Sequence, residues 1–126
     1  MEEQEILKTE IGEEIKVALK PMIVKILKVS VIPVTIKGKE NQKVSCEVKH
    51  LDASEPIHIS SVKYENKGKL IVSGLWVNLD SKGLIRKDSA LAILMNSQKC
   101  ARIQDLENKE IPTILDDKNF LCFKAY

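Results

Sequence analysis

The strongest constraint in this chain is the stretch Met22 to Ile36, where Ile23, Val24, Ile26, Val29, Val31, Ile32, Val34, Thr35 and Ile36 are all β-branched. Such side chains lose rotamer freedom in a helix and pack well on a pleated surface. The stretch therefore reads as one long strand. Its apolar residues fall on both faces, which predicts a strand covered on both sides or strongly curved. Pro33 lacks an amide donor and marks a bend or an edge. A turn over Lys37-Gly38-Lys39-Glu40-Asn41 follows. Lys43 to His50 then alternates, with Val44, Cys46, Val48 and His50 on one side and Lys43, Ser45, Glu47 and Lys49 on the other. That is the pattern of a half-buried antiparallel strand, hairpinned to the first.

Further strand segments continue the pattern. Ile57 to Tyr64 is one. The segment Lys69 to Leu79 is another, and its interior Gly74 suggests a bulge or a bend. Asn66-Lys67-Gly68 and Asp80-Ser81-Lys82-Gly83 are turns. Asp88 or Ser89 caps a helix over Ala90 to Ser97, with Leu91, Leu94, Met95 and Gln98 on one side. A turn at Leu106 to Lys109 leads into two short strands, Glu110 to Leu115 and Asn119 to Tyr126. Ahead of all this, Ile11, Ile15, Ala18 and Leu19 have the spacing of an amphipathic helix that Pro21 ends. Residues 1–20 thus read as a helical or flexible leader, and residues 21–126 as one mainly β domain.

Charge is distributed unevenly behind a net of +2. Residues 1–15 carry a net −5 and residues 16–50 a net +6. A basic surface concentrates polyanions; lysines also solvate exposed strands and blunt sheet edges. No stretch approaches the roughly 18 apolar residues that span a bilayer. The opening residues lack the basic and apolar parts of a secretory signal. A cytoplasmic protein is expected, in a cell or in an infected one. The odd number of cysteines, Cys46, Cys100 and Cys122, argues against a disulfide framework. The prominence of Ile, Lys and Glu is compatible with a thermophile.

Three or four strands, a capped helix and two closing strands give the order of an oligonucleotide/oligosaccharide-binding (OB) barrel of five to six strands. Gly74-Leu75-Trp76-Val77-Asn78, Ser89-Ala90-Leu91-Ala92, Leu106-Glu107-Asn108-Lys109-Glu110 and Phe120-Leu121-Cys122-Phe123 carry a resemblance over the last fifty residues or so. In these segments the chain resembles small OB-fold single-stranded DNA-binding proteins of phages and archaeal viruses. In that family a Leu-x-Gly-Lys turn enters the strand after the helix, and here Asn108 stands in place of its glycine. The resemblance implies a barrel that coats single-stranded DNA.

Chemistry of other kinds finds no frame. His50 and His58, with Cys46 nearby, match no closed zinc-site spacing. Neither a strained G-x-S-x-G elbow nor a glycine-rich phosphate loop occurs. The carboxylate pairs Glu13-Glu14 and Asp116-Asp117 read as solvated surface. No enzyme, metal or cofactor is expected. Single-strand binding needs lysines beside stacking aromatics. The candidates are Lys43, Lys49, Lys63, Tyr64, Lys69, Trp76, Arg86 and Lys87. Tyr64 is the aromatic favoured for exposure, Trp76 suits core or surface, and Phe120 and Phe123 are read as core. Such binding would be salt-dependent and without strong base preference. The alternative is a protein-interaction or assembly module, an inhibitor or scaffold, acting through the barrel surface, the leader helix or a homodimer.

Overall fold

The computed structural model describes Leu7, residues 9–11 and residues 19–126. Most of the expected leader helix, including Ile15 and Ala18, lies outside the described residues. Among the described residues seven strands form: β1 (Ile23–Ile36), β2 (Lys39–Lys49), β3 (Ile57–Ile59), β4 (Ser61–Asn66), β5 (Lys69–Gly74), β6 (Glu110–Leu115) and β7 (Leu121–Ala125). One α-helix among the described residues, α1 (Ala90–Ser97), and a short 3-10 helix, Ile103–Leu106, stand between β5 and β6. The mainly β class and the helix before the last two strands match the sequence. The strand count exceeds the expected five to six because the Ile57–Tyr64 segment breaks at Ser60 into β3 and β4.

The sheet runs β3-β2-β1-β6-β7-β4-β5. Neighbours are antiparallel except β4 and β7, which are parallel. The ladders do not close into a barrel, since β3 and β5 stand at opposite ends of the order. Two features join those ends. Ser60 alone separates β3 from β4. Beyond Gly74 the chain crosses to β2, where Val44 N donates to Leu75 O (2.8 Å) and Val77 N to Gln42 O (2.9 Å), with an antiparallel bridge between Lys43 and Trp76.

β1 explains its own two-sided apolar pattern. Val24 and Ile26 are buried. The register then shifts at Leu27, so Val29, opposite Cys46, faces the core in their place. An extra residue in a strand swaps which side looks inward. β6 pairs with β1 only from Ile23 to Lys25. The far half of β1 therefore leaves β6 and runs on with β2 as an arm, flanked on the β2 side by Leu75–Val77 only as far as Gln42, and Val31, Ile32 and Ile36 are exposed on it rather than covered. The arm ends at Lys37 and Gly38, both at positive φ. That is the two-residue turn favoured in hairpins, tighter than the sequence suggested, so β2 starts at Lys39.

The core gathers Val24, Ile26, Val44, Cys46, Val48, Val62, Leu75, Leu91, Leu94, Leu106, Ile111 and Phe123. α1 lies against β4, β5 and β7. Ser89 caps it: its Oγ accepts from Ala92 N (3.2 Å) and donates to Arg86 O (2.7 Å). His50 is buried and fully used. Its Nδ1 accepts from Asp52 N (3.1 Å), so the ring proton sits on Nε2, which meets Lys20 O at 2.7 Å. All three cysteines are free and buried.

Candidate nucleic-acid interface

Alternation along a strand fixes which side chains face away from the core. On β2, buried Val44 and Val48 turn Lys43 and Lys49 outward. On β4, buried Val62 turns Ser61 and Lys63 outward. Beyond β5, buried Leu75 turns Gly74 and Trp76 outward. On β7, buried Phe123 turns Cys122, Lys124 and, one residue past the strand, Tyr126 outward. Cys122 is itself buried but stands outside the core cluster.

The centre of this outward surface is a small platform. Lys43 Nζ lies 5.0 Å from the centroid of the Trp76 ring. Both side chains lie over Gly74. A Cβ at that position would come within 2.8 Å of Trp76 Nε1 and 2.9 Å of Lys43 Cε. The missing side chain is what lets the Nε1 edge of the ring and the lysine stem close over the strand. Gly74 thus does more than mark the bend that its position in the sequence suggested. Ser61 pairs with Gly74 across β4 and β5, and Lys63 is the next outward residue along β4. Lys63 in turn pairs with Lys124 of β7. Lys124 Nζ is 4.9 Å from the centroid of the Tyr126 ring. One continuous surface therefore carries Lys43, Trp76, Lys63, Lys124 and Tyr126.

Of the residues singled out in the sequence, Lys43, Lys63 and Trp76 come together here. Tyr64 does not: it shares the inward side of β4 with Val62 and packs against the core. Lys69 pairs with Asn66 at the hairpin tip, on the other side of β5 from Val72 and Gly74. Lys49 faces outward, but six residues along β2 from Lys43, about 20 Å away at the strand rise. Arg86 and Lys87 sit in the loop before α1. Arg86 is held by Asp88, Nε to Oδ1 at 3.2 Å. That hydrogen bond and the guanidinium charge keep the Asp88 carboxyl below its ordinary range. Lys87 and Arg102 flank an open cleft of about 670 Å³ floored by Leu84, Ile85, Met95 and Ile103.

Lys124 and Tyr126 were not singled out by sequence reasoning. The phase of β7 is the signal that finds them, because Phe123 inward puts both outward. Phe120 is a correction in the other direction. Expected in the core, it is 61% exposed. Asp116 Oδ1 accepts from the amides of Lys118 and Phe120, which holds Phe120 in the turn and leaves Phe123 to fill the core. Among the described residues no cluster of His, Cys, Asp and Glu could hold a metal ion. Cys46 and His50 face inward while His58, opposite Glu47, faces outward, so the three do not converge on a metal. Burial pushes the Cys46 thiol up to about 12 and, with Asp116 adding to it, the Cys122 thiol up to about 11.

No protein-family model, curated protein or solved structure matches this chain. Among the described residues no helix is long and apolar enough to cross a membrane.

Proposed function

We propose that the protein binds single-stranded nucleic acid on the outward surface around Trp76, and that its sheet curls as an OB-like barrel to present that surface. The observation that carries the function is the partly exposed Trp76 ring, its Nε1 edge against Gly74 and the Lys43 ammonium over the ring. An aromatic face next to a cation is what an unpaired base and its phosphate require. A duplex keeps its base faces stacked and offers this platform nothing. Support for the barrel comes from the long first strand, the parallel pairing of β4 with β7 and the position of α1 ahead of the last two strands. The links through Ser60 and Leu75 to Val77 across the ends of the sheet add to it.

Lysine without arginine forks contacts phosphate as a point charge. Binding is therefore expected to be insensitive to base sequence and sensitive to salt. With three lysine–phosphate contacts, raising salt from about 50 to about 200 mM weakens a single-strand complex roughly 20-fold. Fluorescence anisotropy of a labelled oligothymidine at the two salt concentrations tests this, together with quenching of the sole tryptophan. Saturable binding at low salt that Trp76→Ala abolishes is the expected result. Absence of binding at low salt ends the reading.

A further inference from the structure

Resting on that reading, we infer that Tyr126 and Lys124 form a second stacking subsite on the same strand of ligand, so that the nucleic acid crosses β4 and β7 and one molecule covers four to five nucleotides. The geometry gives both ends. Trp76 lies over Gly74 of β5, opposite Ser61 of β4. Tyr126 lies on β7's outward side, level with the residue after Tyr64, since Tyr64 pairs with Ala125. From Gly74 to Tyr126 is two strand spacings across and four residues along, about 16 Å between backbone positions. At the 3.4 Å rise of a stacked strand that is about five nucleotides, and fewer once bases separate. The value falls at the low end of what one small β-domain occupies.

Both ends have the same composition, an aromatic ring with a lysine within about 5 Å of its centroid, and Lys63 stands between them beside Lys124. The flanks are acidic. Phe120 is more exposed than Tyr126, but it sits in the Asp116-Asp117 turn, where carboxylates repel a phosphate chain. Glu65, the next outward residue of β4, is level with Tyr126 and marks the other end of the row. Carboxylates thus stand at each end of the lysine-bearing row, and the phosphates run between them along Lys43, Lys63 and Lys124.

The full chain, Tyr126→Ala, Lys124→Ala and Phe120→Ala are titrated with oligothymidines of two, five and ten nucleotides, and the stoichiometry on a twenty-nucleotide strand is measured by calorimetry. Tyr126 and Phe120 are both exposed, so neither substitution threatens folding. Tyr126→Ala is expected to weaken the five- and ten-nucleotide ligands about tenfold, whereas the dinucleotide, which reaches only one platform at a time, keeps its affinity for the Trp76 platform. Phe120→Ala should bind like the parent, and four to five molecules should load on the twenty-nucleotide strand. Equal loss at every length, no loss in Tyr126→Ala, or one or two molecules per strand overturns the path. If oligonucleotides bind through Trp76 while Tyr126→Ala is silent, the crossing path falls and the function stands. If nothing binds the parent chain, both fall.

Discussion

Gly74→Ala separates the packing role of the Trp76 platform from its proposed binding role. The residue is not at positive φ, so alanine meets no backbone penalty and restricts the unfolded chain, a gain of about 0.4–1 kcal/mol. Against this, the new methyl would lie 2.8 Å from Trp76 Nε1 and 2.9 Å from Lys43 Cε. Ordinary contact is about 3.5 Å, so the ring must lift by roughly 0.7 Å and the lysine must swing aside. The cation–π pair lost at such a surface position is worth about 0.5–1 kcal/mol. The two effects oppose each other, and folding stability should change by no more than about 1 kcal/mol. Base stacking on the ring, worth about 1–3 kcal/mol, then falls on a tilted surface. Affinity for a single strand should drop about tenfold or more. Urea unfolding, tryptophan emission and oligonucleotide anisotropy on the same sample test this. A shifted emission maximum with unaltered affinity would refute Trp76 as a binding surface. A stability loss above about 3 kcal/mol would show instead that Gly74 is a packing requirement of the crossing to β2.

Two predictions concern the scaffold. Ser89→Ala removes the bond to Ala92 N and the one to Arg86 O, and should cost about 1 kcal/mol, a fall of about 4 °C in melting temperature; an unchanged melting curve would mean that the cap contributes nothing. The Cys46 thiol, moved by burial from 9.0 to about 12, keeps its proton in the folded state after the unfolded chain has lost it. Its share of stability is complete below pH 9 and is lost as pH rises from 9 toward about 12, at no more than about 1.4 kcal/mol per pH unit. Thermal melts from pH 8 to 10.5 should therefore decline less steeply in Cys46→Ala than in the parent, and equal slopes would show that the thiol is not desolvated.

How far the sequence foretold the molecule depends on whether a feature is local. The alternation of Val44, Cys46, Val48 and His50 placed all four in the interior, as found. Ser89 announced its helix because a cap is set by residues three apart. What was illegible depends on partners distant in sequence. Nothing near Leu27 signals the register shift, which is fixed by pairing with β2. The parallel contact of β4 with β7 and the crossing at Leu75 join segments far apart in the chain, and they decide that Trp76 faces out and Tyr64 faces in.

The charge run is scattered for the same reason. Residues 16–50 could form a basic face or simply solvate the strands, and in the fold Lys25 and Lys49 pair at one end of the β1–β2 ladder while Lys43 stands mid-ladder, opposite Ile32. Strand geometry spreads a charge run over some 20 Å of edge and both sides of a hairpin. The cationic row that does form takes one lysine from each of β2, β4 and β7: Lys43, Lys63 and Lys124. The proposed binding surface runs across strands, so its residues are separated in sequence by whole elements. The signals that locate it are the inward anchors Leu75, Val62 and Phe123, each of which sets the phase of its own strand and so turns a neighbouring lysine or aromatic outward.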